Sequence, residues 1–329
     1  LNLKEEILKL KEELDVTLVA HFYQRDEVFE LADITGDSLE LAKRAKETDS
    51  KYIVFCGVGF MGESVKVLDP EKIVLMPKIA CCAMARMIDE GYYEENLQKI
   101  NEAGISNDDI LPITYINSSA AVKARVGEMG GMVCTSSNAY KIIEKGLKSG
   151  KKIFFVPDRC LGQNFAKSLN LKSAVVGDGT DLNEADIICY NGFCSVHQLF
   201  TVEDIEFYRE KYEDILIAVH PECDPAICDA ADFVGSTSQL IKYITELPIE
   251  QKVAVGTEYN MVNRLREKNT YILSSTKPEC PTMNETTLED VYNTLKSIKD
   301  GKISEECEIK VSEDVAKWAR VALERMFEV

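Results

Sequence analysis

The chain repeats one pattern three times, and that repeat limits the folds open to it more than any single motif does. The first copy runs TLVAHFYQRDEVFELADITGDSLELAKRA from Thr17. The second runs ITYINSSAAVKARVGEMGGMVCTSSNAYKII from Ile113, and the third runs IAVHPECDPAICDAADFVGSTSQLIKYI from Ile217. Each opens on a β-branched apolar strand that ends in a polar cluster: His21 and Tyr23, Tyr115 and Asn117, His220 and Glu222. A short helical stretch and a second strand follow. Small hydroxyl residues then open a helix: Gly36-Asp37-Ser38, Thr135-Ser136-Ser137, Gly235-Ser236-Thr237. Strand, polar tip, helix, strand, hydroxyl tip, helix is the rhythm of a parallel α/β unit.

The second half of each unit repeats as well. KYIVFCGVGFMGESVKVL with KIVLMP, KKIFFVPDRCLGQNFAKSL with SAVVG, and KVAVGTEYNMVNRLREK with TYILS each read as strand, loop, helix, strand. Each unit then reaches a loop cysteine, in KIACCAMA (Cys81-Cys82), NGFCSVHQ (Cys194) and KPECPTMN (Cys280). The second unit adds a strand, DIICYNG, on the way. Parallel α/β sheets bind ligands beyond the carboxyl ends of their strands, where all these clusters fall. The expected architecture is three similar α/β units in a pseudo-threefold arrangement, tips facing one centre. The C-terminal SEDVAKWARVALERMFEV is expected to be a helix packed on the first unit or, alternatively, a dimer contact.

A net charge of −18 and the lack of a basic stripe argue against nucleic acid as a partner. No apolar run approaches the roughly 20 residues of a membrane span. The first residues, LNLKEEILKLKEEL, are amphipathic rather than signal-like, so a cytoplasmic location is expected. The acidity does not bar small anions, which backbone amides at helix starts bind whatever the net charge.

Eleven cysteines without regular spacing or any CxxC pair fit neither a disulfide framework nor a zinc ribbon. Cys56 and Cys189 sit in apolar strands and belong to the core. Cys82, Cys194 and Cys280, one loop cysteine per unit, suit an iron–sulfur cluster that leaves one iron free as a Lewis acid. The plainer reading of the three is ordinary buried thiols. Cys223 and Cys228 share one unit and rank below them. All three histidines of the chain, His21, His197 and His220, lie at a tip or beside a candidate ligand, and imidazole suits proton transfer. Tyr23, Tyr115 and Glu222 can share that work. The hydroxyl tips are ordinary helix caps that can also present amides to an anion. Gly57-Val58-Gly59-Phe60-Met61-Gly62 has the form of a dinucleotide fingerprint. Its next strand ends at Pro77-Lys78 rather than an acid, and the other units lack the glycines, so it reads as a tight turn.

AHFYQ, DITGDSLELA, MGESVK, CAMA, YINSSA, VCTSSNA, PDRCLG, CSVHQ, HPEC, FVGSTSQ, GTEYNM and the late Cys280, in this order, resemble the quinolinate synthase family over nearly the whole chain. The resemblance implies three three-layer αβα units with parallel sheets around one [4Fe–4S] cluster. The units would span 1–84 with 283–329, then 85–194, then 195–282. It implies condensation of iminoaspartate with dihydroxyacetone phosphate to quinolinate, phosphate and two waters, within NAD biosynthesis. It also implies a functional link to L-aspartate oxidase or aspartate dehydrogenase. By the same resemblance Cys82, Cys194 and Cys280 hold the cluster, and His21 and Tyr23 transfer protons in the sugar-phosphate steps. Tyr115, Asn117, His197 and Glu222 position intermediates or assist dehydration. Ser38, Ser136, Ser236 and Thr237, with His220, bind phosphate and carboxylates. Two departures stand out: Ala83 replaces the proline common after the first ligand, and Cys81 precedes it as a rival. Cys280 lacks the CxxC partner of some members, so no regulatory disulfide is expected there.

A diphthamide-synthesis-type cluster enzyme shares the three-cysteine plan, but the AHFYQ and HPEC tips favour small-molecule chemistry. A plain iron–sulfur carrier has little use for so many converging acid–base and hydroxyl residues.

Overall fold

A computed structural model of the chain describes residues 2–266 and 269–329. Glu267 and Lys268, the last residues of the third KVAVGTEYNMVNRLREK stretch, lie outside them. There is one parallel sheet per repeat. The first joins β1 (Val16–His21), β2 (Ile34–Gly36), β3 (Tyr52–Cys56) and β4 (Ile73–Leu75) in the order β2-β1-β3-β4. The second joins β5 (Ile110–Tyr115), β6 (Met132–Cys134), β7 (Lys152–Val156), β8 (Ser173–Val175) and β9 (Ile187–Cys189) in the order β6-β5-β7-β9-β8. The third joins β10 (Leu216–Val219), β11 (Phe233–Val234), β12 (Val253–Gly256) and β13 (Thr270–Ile272) in the order β11-β10-β12-β13.

Central strands are covered on both faces, which is why β1 and β3 read as continuous apolar runs. Alternate residues go to opposite sides. Val19, Ile53 and Phe55 pack with Leu41 and Val65 of the crossover helices, while Leu18, Ala20 and Val54 pack with Ile7, Val291 and Leu295. Helices on two faces of each sheet make three three-layer αβα units, the expected fold class.

Two expectations are corrected. β9, not β8, pairs with β7 and leads into the Cys194 loop, so IIC is the counterpart of β4 and β13, and SAV is the added edge strand. Ile187, Ile188 and Cys189 are fully buried whereas β8 starts on half-buried Ser173, so the more apolar strand took the inner place. The C-terminal helix Glu313–Phe327 packs chiefly on Ala120–Glu128 of the second unit and also meets Gly59–Leu68 of the first. A Cβ at Gly127 would fall 2.2 Å from the Trp318 carbonyl, so that close crossing requires glycine. Arg325 ties the helix to the Gly127 and Gly131 carbonyls, and Arg320 to that of Val67. Among the described residues no helix is long and apolar enough to cross a membrane.

Candidate active site

The carboxyl ends of β1, β5 and β10 carry the three polar tips into one cavity. Two tips are built alike. The Nδ1 of His21 accepts the Tyr23 N–H at 3.1 Å, and the Nδ1 of His220 accepts the Glu222 N–H at 3.2 Å. An Nδ1 that accepts leaves the proton on Nε2, so each imidazole offers an N–H donor. Burial lowers both, His21 to about 4 and His220 to about 3, and both are neutral at pH 7. The hydroxyl tips meet beside them. Asp37 Oδ1 caps the helix Ser38–Glu47, while its Oδ2 accepts from Ser137 of the second unit (2.9 Å) and Ser238 of the third (2.6 Å).

The three cysteine loops follow a single plan. The first N–H of the preceding helix, from Gly59, Arg159 or Tyr259, donates to the carbonyl two residues before the cysteine: Ala80 (2.8 Å), Gly192 (2.9 Å) or Pro278 (2.8 Å). The carbonyls of Cys82, Cys194 and Cys280 then accept the N–H four residues on, from Arg86, Gln198 and Asn284. This register selects Cys82 over Cys81, which is exposed and absent from the cavity wall. The resulting turns aim backbone N–H groups at each sulfur: Ala85 and Met84 at Cys82, His197 at Cys194, Thr282 and Met283 at Cys280. Burial pushes all three thiols up, Cys82 to about 12, so thiolates form here only against a cationic centre. Three soft ligands from three loops, each with N–H donors for a sulfur anion, fit a thiolate-bound cluster.

A hydrogen-bonded chain crosses the cavity wall. Tyr115 O–H donates to Glu222 Oε1 at 2.5 Å, and His197 Nδ1 stands 2.9 Å from Glu222 Oε2. His197 Nε2 meets Thr257 Oγ1 at 3.0 Å, which meets Tyr23 Oη at 3.0 Å, which meets Thr237 Oγ1 at 3.0 Å. Burial alone would raise the Glu222 carboxyl, but His197, His220 and the Tyr115 hydroxyl outweigh it and hold it below the usual carboxylate range. Burial, then the Glu222 charge, pushes both Tyr23 and Tyr115 well up, so they act as neutral hydroxyls. Cys194, His197 and Glu222 each bring a ligand atom within 4.8 Å of the others, so a metal held by Cys194 would stand beside this chain.

All the expected site residues line this cavity except Ser236. Ser236 is 1% exposed. Its hydroxyl caps Gln239 and accepts from Ser137, a packing role at the junction of the units. Asn117 Oδ1, buried at the cavity, has no hydrogen-bond partner among the described residues. Cys223 and Cys228 stay off the cavity wall, their thiols near the Gly256 and His220 carbonyls. Cys56 and Cys189 are buried strand residues. At the glycine-rich turn, a Cβ on Gly62 would strike Met76 and Ile309, so that glycine serves packing, and Phe60 and Met61 form apolar cavity wall. Thr257 is the functional position that the sequence hid. It lies in GTEYNM, where the other units have Gly57 and Pro157, and only its place between His197 and Tyr23 marks it.

A family model described as "Quinolinate synthetase A protein" matches residues 5–328. The quinolinate synthase of Helicobacter pylori (strain HPAG1) is 56% identical over 334 residues, covering 100% of this chain and 98% of that one. Those of Acidobacterium capsulatum and Streptomyces coelicolor are 42% and 38% identical. They match 95% and 94% of this chain and 88% and 84% of their own.

Proposed function

The chain belongs to the quinolinate synthetase A family, and we propose that it is an enzyme of NAD biosynthesis that condenses iminoaspartate with dihydroxyacetone phosphate. The products are quinolinate, phosphate and two waters. The units would run 1–84 with 283–329, 85–194 and 195–282, the C-terminal helix of the first lying chiefly against the second. Cys82, Cys194 and Cys280 would hold a [4Fe–4S] cluster. The observation that carries this reading is the convergence of three identically pinned cysteine loops on a cavity crossed by an acid–base chain. When bound, the cluster supplies an iron without a protein ligand, a Lewis acid toward a substrate oxygen or nitrogen.

The protein's own groups divide the remaining work. The neutral Nε2–H groups of His21 and His220, with the hydroxyls of Ser38, Ser136 and Thr237, orient carboxylate and phosphate oxygens. The unpaired Asn117 Oδ1 accepts an N–H or O–H of substrate. Glu222, ionised and joined to His197, takes up a proton, and the chain through Thr257 links it to Tyr23. Tyr23 and Tyr115 keep their protons and can lend them to a departing hydroxide. Val58, Phe60 and Met61 keep bulk water from the hydrolysis-prone imine. That lability suits direct supply by an L-aspartate oxidase or aspartate dehydrogenase. The test is preparation without air followed by assay with both substrates. Quinolinate should form in proportion to cluster content, and its absence from a fully loaded enzyme overturns the reading.

A further inference from the structure

The three tips share a backbone plan, and each is gripped in the same way. Counted from the strand end they are His21-Phe22-Tyr23-Gln24, Tyr115-Ile116-Asn117-Ser118 and His220-Pro221-Glu222-Cys223. The first and third side chains of every tip line the cavity. The carbonyls of the second and fourth residues are both bound by one polar side chain. Arg264 donates to Phe22 O and, at 3.1 Å, to Gln24 O. Asn164 Nδ2 donates to Pro221 O at 2.8 Å and Cys223 O at 2.9 Å. Lys123 Nζ donates to Ile116 O at 2.8 Å and to Ser118 O.

The correspondence extends to where the donors sit. Asn164 and Arg264 are each the sixth residue of the helix that precedes their unit's cysteine loop, Arg159–Ser168 and Tyr259–Arg264. Both reach across a boundary, Asn164 from the second unit to the third and Arg264 from the third to the first. In the first unit the sixth residue of Gly59–Leu68 is Ser64, whose hydroxyl turns back to Phe60 O at 2.8 Å. There the grip comes from within the second unit, through Lys123, which is only 1% exposed.

We propose that Asn164, Arg264 and Lys123 are positioning residues that set how Glu222, Tyr23 and Asn117 project into the site, by pinning the paired carbonyls around each. Fixing the peptide groups on both sides of a residue fixes the direction of its side chain. Loss of the donor strands a pair of carbonyls in the first and third tips, while in the second Ile116 O keeps the Ser118 N–H at 2.8 Å. The catalytic half of this inference rests on the reading of Glu222 and Tyr23 as acid–base groups; the grip itself does not.

The test uses the full chain with its cluster rebuilt under nitrogen, in Asn164→Leu and Arg264→Met variants that keep bulk and remove donors. Hydrogen exchange is followed at the Glu222 and Cys223 amides and at the Tyr23 and Gln24 amides. Asn164→Leu should speed the first pair about tenfold or more and leave the second unchanged, and Arg264→Met should do the reverse. In the assay Asn164→Leu should lower kcat about tenfold to a hundredfold with KM within about twofold, and Asn164→Gln should recover part of it. Combined with Glu222→Gln, Asn164→Leu should cost nothing further. Unchanged exchange at both tips in both variants overturns the proposal, as does a loss that multiplies with Glu222→Gln. Should Asn164→Leu fail to fold, Asn164→Ala, which also removes the donor, carries the same exchange test. If the parent makes no quinolinate, the assigned reaction falls while exchange still decides the grip.

Discussion

The cysteine loops and the strand tips descend from the same threefold plan, yet they have treated it differently. In the loops all three units keep the same residue and the same two backbone hydrogen bonds around it. In the tips the backbone and its grip recur, but the side chains diverge: His and Tyr, Tyr and Asn, His and Glu. A metal centre held by three thiolates is served by equal ligands. Under the proposed reaction two unlike small substrates have no threefold symmetry, so each tip would serve a different part of the chemistry. Symmetry survives where the ligand tolerates it and is lost where the reaction needs unlike groups.

That contrast predicts equal losses in one region and unequal losses in the other. The largest effect is expected in the loops. Cys82→Ser, Cys194→Ser and Cys280→Ser should each abolish the brown cluster absorbance and the activity, while Cys81→Ser and Cys56→Ser keep both. One loop variant that retains its colour would break the equivalence. In the tips, Glu222→Gln should cost about a thousandfold in kcat, because Glu222 joins both Tyr115 and His197. Thr257→Val should cost about tenfold, because it only interrupts the link between His197 and Tyr23. Equal losses there would argue that the tips act as one undifferentiated wall.

A smaller effect concerns acid. Burial lowers His21 to about 4 and His220 to about 3, against 6.5 unperturbed. Between the folded and unfolded values the unfolded chain binds the extra protons. Each histidine therefore lowers native stability as pH falls from 6.5 toward 4. In cluster-free protein the ¹⁵N resonances of both imidazoles should stay neutral from about pH 8 to pH 5.5. Titration of either near 6.5 would show that its tip is open to water. The smallest effect, about 1 kcal/mol of stability by thermal melting, is expected for Asp37→Asn. That change keeps the helix cap and disturbs only the bonds to Ser137 and Ser238.

Most of the site was legible because its chemistry sits where parallel strands end, and strand ends are marked by a switch from β-branched to polar residues. His21, Tyr115 and Glu222 could be read this way, as could the three loop cysteines. Ser236 is ambiguous in sequence because a helix cap and an anion-binding hydroxyl are the same residue in the same place. Thr257 carried no signal because its counterparts are glycine and proline. β8 and β9 exchanged roles because both are short and apolar, and only pairing with β7 separates them. The C-terminal helix was amphipathic in sequence, but which unit it met depended on the missing side chain at Gly127. The grips on the carbonyls left no trace, since a backbone acceptor looks the same at every position.

The grip of Arg264 on Phe22 spans 242 positions of the chain. A ribosome therefore releases the strand that bears His21 and Tyr23 long before the side chain that seats it has been made. Any fragment ending before residue 264 carries that strand with its two carbonyls unheld. If the proposed cluster is held here, iron and sulfide delivered before residue 264 is made would find a cup with its rim unfinished.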